Sequence, residues 1–338
     1  MRQVKPIFFL LLIVTVLGAC NRNPLKVDIS KSKKEVKFVR FDKELFALPL
    51  KDTLAEISEL SNKYPDFFNL FTSRIIRIGR VGDAEFPQLL ARFLTDTMIL
   101  NVERIVNERY PDFEKTEKQI NKAFKYYQYH FPEKEVPTVY VYTSGFNQSV
   151  VTYKNSIGIS LDKYLGRNCR YYKKLSTAPQ YKITNMHKAK IPSDVAYAWA
   201  SAQFGEQNRA TNLIGNMIHQ GKLMYFVDAL LPDVHDSLKI GYTTKQLNFC
   251  KNNEAEMWKY LVERKMLFST KRMDIVRYIN DGPTTSGFPL EAPGRAGIWL
   301  GWQIVRQYMK KFPETTLKQL MLNNDYQQIL NDSEYFPE

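Results

Sequence analysis

The chain has little cysteine and little histidine, three and four residues in 338. That scarcity excludes much chemistry. No Cys-x-x-Cys pair occurs, so neither a dithiol redox site nor a zinc ribbon fits. His130, His187, His219 and His235 never fall four apart. No helix can therefore present the paired histidines of a His-Glu-x-x-His metal site. A Gly-rich phosphate loop ending in Lys-Ser/Thr is missing, as is a Gly-x-Ser-x-Gly nucleophile elbow. No nucleic-acid motif appears, and no apolar run reaches the ~20 residues that a bilayer-spanning helix needs. No cofactor or metal site is expected, and no small-molecule substrate is identified. What the chain does have is apolar content: 44% hydrophobic and 13% aromatic residues. Such a chain buries a sizeable core and does not stay disordered.

The one notable apolar run, Ile7 to Leu17, follows the basic residues Arg2 and Lys5. Its length is that of the hydrophobic region of an export signal. It ends in Leu17-Gly18-Ala19-Cys20. Small residues before a cysteine allow a peptidase to bind the chain extended, and the arrangement resembles the lipobox of bacterial lipoproteins. The expectation is a cleaved signal over residues 1–19 and a mature chain beginning at Cys20. The Cys20 thiol would take a diacylglycerol and its amine a further acyl chain such as palmitate, and several chains anchor firmly. By the sorting rules of such lipoproteins, Asn21-Arg22-Asn23, without Asp at the second position, fits carriage to the outer membrane. The lack of an acidic run fits a periplasmic orientation.

Net charge is +13, and +11 once Arg2 and Lys5 are removed. The cations are interspersed with acids. Only Lys31-Ser32-Lys33-Lys34 is a basic run, within a segment over 20–35 that reads as anchor and tether. It would rest on anionic headgroups or be solvated. A lipid- or peptidoglycan-binding role is a further reading of the positive charge. Beyond Cys20 only Cys169 and Cys250 remain, and an oxidising envelope permits a disulfide between them; two free cysteines are the other possibility.

Residues 36–338 read as a single domain of α+β class, predominantly helical. Strands are expected over 36–41, 136–142 and 156–161 from alternation. Helices are expected over 51–62, 84–109, 114–130, 194–204, 207–230, 244–252, 254–265, 295–312 and 315–330, with Ser193-Asp194 and Asn253 as caps. A small β element under a helical body is the simplest arrangement. Gly297 and Gly301 lie four apart on one helix, which costs about 1 kcal/mol each in propensity; they predict close backbone approach by another element. Trp299 and Trp302 are core candidates.

Three segments carry the most identity. One runs from Leu213 through Gly215-Asn216, His219-Gln220-Gly221-Lys222 and Tyr225-Phe226 to Pro232. The next runs from Gly241-Tyr242-Thr243 through Cys250 to Asn253-Glu254 and Trp258. The last joins Gly282-Pro283 to Ala292-Pro293-Gly294-Arg295-Ala296-Gly297-Ile298-Trp299. Together with the lipobox, they resemble the GldB family of gliding-motility lipoproteins of the Bacteroidota, over essentially the whole chain. The resemblance implies an envelope protein needed for gliding, near the machinery that gliding shares with type IX secretion. A more distant likeness to gluzincin-type zinc peptidases implies a degenerate zincin-like fold. The helix around Asp194 to Trp199, where such an enzyme would carry its motif, holds neither histidine nor glutamate.

His219, Lys222, Glu254 and Arg295 form a candidate polar cleft. Lys222 would face Glu254 or Asp228, and Arg295 would grip a carboxylate bidentately, from Glu254 or from a partner. Each residue also has a structural reading: a core histidine, a glutamate favouring a helix start, an internal bridge. The expectation is a non-enzymatic, lipid-anchored motility component that binds other envelope proteins. A cell-envelope hydrolase with an unrecognised site is the alternative.

Overall fold

The computed structural model describes residues 23–49, 53–175, 178–205 and 210–338. Cys20 and the expected signal lie outside these. Four strands form one mixed sheet: β1 (Lys37–Arg40), β2 (Thr138–Tyr142), β3 (Val150–Tyr153) and β4 (Ser156–Ser160), in the order β1-β2-β4-β3. β2 is parallel to both β1 and β4, while β3 is antiparallel to β4. β3 is an addition to the expected strands.

Period-two alternation divides the side chains of this sheet between two cores. Val139, Val141, Ile157 and Ile159 enter the larger core. Val39, Tyr142 and their neighbours Tyr140 and Val151 pack into a smaller one. The sheet is thus covered on both faces, as parallel pairing favours, rather than lying under a single helical body. The smaller core is built by α1 (Phe41–Phe46), α2 (Thr53–Lys63), α3 (Pro65–Leu70) and α4 (Phe86–Thr95). Phe67 stacks on Tyr140 at 4.1 Å between ring centroids.

The larger core gathers the other helices, chiefly α5 (Thr97–Arg109), α6 (Glu114–His130), α7 (Ile191–Phe204), α8 (Leu213–Leu230), α9 (Asp236–Ile240), α10 (Thr244–Asn252), α11 (Glu254–Glu263), α12 (Arg272–Ile279), α13 (Ala296–Lys311), α14 (Leu317–Leu322) and α15 (Tyr326–Ser333). α8 is apolar nearly all round and buried nearly all round, as a central helix should be. It packs on α13 through glycine. A Cβ on Gly301 would fall 1.8 Å from the Met217 carbonyl oxygen, and one on Gly221 would fall 2.2 Å from that of Gly301. Trp299 and Trp302 are fully buried.

Several boundaries differ from expectation for local reasons. The helix expected over 84–109 is two helices, because the Asp96 side chain accepts from the Met98 and Ile99 amides and starts α5. α8 starts at Leu213, where Asn212 caps it. α7 starts at Ile191 with Pro192 in its first turn, which frees Asp194 from capping. Asn253 makes no cap; its amide group donates to the Phe249 carbonyl. α1, α3, α9 and α12 were not expected. Cys169 and Cys250 are both free, the first half-buried and the second buried, so the permitted disulfide is not formed. Residues 23–30 form a ribbon on the domain, with Leu25, Val27 and Ile29 half-buried against the larger core and alternate residues exposed.

Candidate functional site: a cation-rich cleft

Three helix starts converge on one cleft of about 440 Å³. Lys190 and Asp194 come from the start of α7, Thr243 and Gln246 from the start of α10, and Gly294 and Arg295 from the start of α13. Helix starts carry the positive end of the helix dipole, although the Gln246 amide is already taken by Thr243 Oγ1 and the Ala296 amide by Thr285 Oγ1. Lys163 and Tyr164 arrive on the turn after β4, and Asp281 from the loop before α13. Among the described residues the lining holds four cations, Lys163, Lys182, Lys190 and Arg295, against two carboxylates, Asp194 and Asp281.

Asp194 is held from two sides: Tyr164 Oη donates to it at 2.8 Å and Lys190 Nζ at 2.7 Å. Lys190, almost fully buried, also donates to the Lys239 carbonyl at 3.2 Å. Burial, with the Asp194 charge beside it, pushes the Tyr164 hydroxyl well above the usual phenol range, so it stays protonated. Lys163 donates to the Phe146 carbonyl at 3.2 Å, and burial lowers its pKa. The turn carrying both residues is fixed by Asp162, fully buried, which accepts from the Ser144 and Phe146 amides at 3.2 and 2.6 Å.

Arg295 adopts a left-handed backbone, φ 63°, a conformation that costs a non-glycine residue about 1–3 kcal/mol. Its surroundings hold it there. A Cβ on Gly294 would fall 2.1 Å from the Gly282 carbonyl oxygen, so these two backbones touch. Tyr242 Oη donates to the Gly294 carbonyl at 2.8 Å, and Thr285 Oγ1 to that of Pro293 at 2.6 Å. The guanidinium pairs through Nε with Asp281 at 3.0 Å and donates to the Ile240 carbonyl at 2.7 Å. Its side chain remains 27% exposed, which leaves donor capacity facing the cleft.

Of the four residues expected to share a polar cleft, Arg295 alone lines this one, and its acid is Asp281 rather than Glu254. Lys222 meets neither Glu254 nor Asp228: it donates to the Asn323 carbonyl at 2.5 Å and sits 5.4 Å from the Tyr326 ring centroid. Burial lowers its pKa to about 8. His219 approaches Tyr326 Oη at 3.4 Å, and burial, with help from Lys222, lowers its pKa to about 4. Glu254 accepts from Trp299 Nε1 at 3.2 Å and from Tyr335 Oη at 2.8 Å, and burial raises its pKa. These three residues fasten the C-terminal helices to the body. Asp228 belongs to a buried ionic cluster. It accepts from Lys239 at 2.7 Å, from Trp302 Nε1 at 2.8 Å, and from Arg306 Nε and a terminal nitrogen at 2.7 and 2.9 Å.

Sequence reasoning missed Lys163, Tyr164, Lys190 and Asp281 as site residues and read Asp194 as a cap. The signal available was the pair of glycine-containing turns, Gly282-Pro283 and Pro293-Gly294, that brings Asp281 to Arg295. Among the described residues, no histidine or cysteine lines the cleft. Among the described residues no group of three or more His, Cys, Asp or Glu is placed to hold a metal. What the arrangement offers is hydrogen bonding and a surplus of positive charge, suited to a carboxylate or another anionic group.

Fold and cleft together define a predominantly helical α+β protein with a cleft rich in hydrogen-bonding groups and positive charge. The chain belongs to the family of the gliding motility protein GldB, whose model matches residues 22–337. Membership gives it a role in gliding motility in a lipoprotein family, and that family is not a known family of enzymes. No curated protein and no solved structure matches the chain, and the zincin likeness gains no support. Among the described residues, no helix is long and apolar enough to cross a membrane.

Proposed function

We propose that the protein is a lipid-anchored envelope component of gliding motility that binds an acidic segment of another envelope protein in the Arg295 cleft. The convergence of three helix starts and four cations on one cleft carries the binding half of this reading. The signal-like run ending at Cys20 supports the anchor, and the residues after it favour an outer-membrane protein facing the periplasm. The partner would belong to, or neighbour, the machinery that gliding shares with type IX secretion. The hydrolase alternative rested on a site around His219, Lys222, Glu254 and Arg295; of these Arg295 alone lines the cleft, and no observation favours that reading.

Two variants test the two halves separately. Cys20→Ala should leave the membrane fraction and abolish surface spreading. Lys182→Glu, at an exposed position of the cleft lining, should stay at the membrane and keep its melting temperature, yet lose crosslinks to its partner in living cells and lose spreading. Wild-type crosslinks and spreading from Lys182→Glu would refute the role of the cleft. Spreading by a soluble Cys20→Ala protein would refute the need for an anchor.

A further inference from the structure

The segment that joins the expected lipid site to the domain is fastened to the domain surface almost from its start. Asn23 donates from its side chain to the Pro232 carbonyl at 3.1 Å. Lys26 pairs with Asp233 at 2.6 Å, and Lys122 pairs with the same carboxylate at 2.8 Å. Leu25, Val27 and Ile29 pack against the larger core. Further along, Ser32 Oγ donates to the Lys125 carbonyl at 2.9 Å, and the Lys34 amide to Gln128 at 3.3 Å. The ribbon is therefore part of the body. Only three residue steps separate Asn23 from Cys20, and fully extended they span about 10 Å. A ribbon free as far as Val36 would have spanned about 55 Å.

That short link ends at the edge of a large groove of about 940 Å³, which Asn23 itself lines. Leu25, Val27, Tyr129, Val234, Met309 and Pro313 supply much of its apolar wall. Tyr129 is 50% exposed there, an amphipathic ring of the kind that settles at lipid headgroup level. The charged side chains deeper in the groove are already neutralised by one another: Asp228 with Lys239 and Arg306, and Asp236 with Arg306. Lys251 and Lys310 stand exposed on its margin, where flexible cationic stems can reach phosphates while their chains lie on apolar surface.

The geometry points to this groove face as the membrane-contact surface of the protein: with Cys20 in the lipid, the Asn23–Pro232 edge is held within about 10 Å of it and the groove is covered by the lipid surface. This rests on the anchoring of Cys20. It goes beyond anchoring in fixing which face of the domain meets the bilayer, so that the protein is oriented rather than tethered loosely.

Site-directed fluorescence quenching tests it on the full lipidated protein in phosphatidylcholine vesicles containing a doxyl-labelled lipid. A dye is placed on Lys310→Cys, at the groove margin, or on Arg80→Cys, an exposed position beside the smaller core. Both variants also carry Cys169→Ser; Cys250 is fully buried and does not react. The expected result is that both proteins float with the vesicles, that the dye at 310 loses emission to the doxyl lipid and that the dye at 80 does not. Equal quenching at the two positions, or quenching only at 80, in protein that floats would overturn the orientation while leaving the anchor intact. Protein that fails to float would show the anchoring reading to be wrong and would remove the proposal with it.

Discussion

Gly301→Ala should be among the most damaging small substitutions in this protein. The added Cβ would lie 1.8 Å from the Met217 carbonyl oxygen and 2.3 Å from its carbon. Both atoms are backbone in the second turn of α8, so no side chain can swing aside. α8 and α13 would have to separate by on the order of 1 Å, loosening a close-packed interface. Overpacking of this kind costs about 1–3 kcal/mol. A helix-on-helix backbone clash at the centre of the larger core belongs at or above the upper end, so we expect about 3 kcal/mol. In a domain of this size that is a fall in melting temperature of roughly 5 °C. The effect should reach the cleft, since α13 begins beside Arg295. Gly205→Ala is the control, because a Cβ there meets nothing within 4 Å; it should be neutral or stabilise by up to about 1 kcal/mol. Thermal unfolding followed by circular dichroism, with urea midpoints as a second measure, reads both variants. A Gly301→Ala protein that melts within a degree of wild type would refute the reasoning and would mean that the two helices do not meet where their glycines place them.

Asp228→Asn should cost about 3–5 kcal/mol in urea unfolding, because it strips the shared carboxylate from the buried Lys239 and the partly buried Arg306. A loss below about 1 kcal/mol would show that the cluster is wetter than it looks. His219 should make the protein acid-labile. Burial holds its pKa near 4 against about 6.5 unfolded, so the unfolded state binds more protons between those values. Stability is then full above about pH 6.5 and is lost as pH falls towards 4, and His219→Gln should flatten that limb of the stability–pH curve. Glu103 works the other way: burial raises its pKa to about 7, so it favours the folded state as pH falls from 7 towards 4.5. Glu103→Gln should steepen the acid loss that His219→Gln relieves.

The parts of this fold that were legible in the sequence are those whose cause is local. Alternation in Val139 to Tyr142 marked β2, and the spacing of Gly297 and Gly301 marked a close helix contact. β3 escaped because it is four residues long and reads as part of its turn. The Asn23–Ser30 ribbon escaped because lysine and aspartate between its apolar residues suggested a solvated tether. Leu25, Val27 and Ile29 nonetheless alternate as an edge-laid segment should. The site was less legible, because it depends on which face of each helix turns inward. His219, Lys222 and Glu254 each sit on a helix packed into the larger core, and sequence spacing does not say which neighbour each will meet. Arg295 was found because Pro293-Gly294 before a helix is a local signal. Its partner Asp281 and the Lys190–Asp194–Tyr164 group come together only through the packing of α7, α9 and α13.

That packing turns on α9, five residues long, which stands between the cleft and the groove. Its Lys239 sends Nζ to Asp228 at 2.7 Å on the groove side. The carbonyl of the same residue accepts Lys190 at 3.2 Å in the cleft. α13 grips α9 with two arginines: Arg295, just before its first turn, takes the Ile240 carbonyl at 2.7 Å, and Arg306, near its other end, takes Asp236 at 2.8 Å through each terminal nitrogen. The Arg306 guanidinium also lies 3.8 Å from the Trp302 ring centroid, a cation–π contact strengthened by desolvation. Breaking one of these contacts would leave a poorly solvated charge unpaired, which is costlier than the net gain from forming it. The cleft therefore takes part of its shape from the packing of α7, α9 and α13, with the turn after β4 and the loop before α13 completing it. Its charged groups are preorganised, as charge recognition without a large ordering cost requires. The same ion pairs fix α9 against the groove wall, so a protein seated on the membrane by that wall would present the cleft in a set direction.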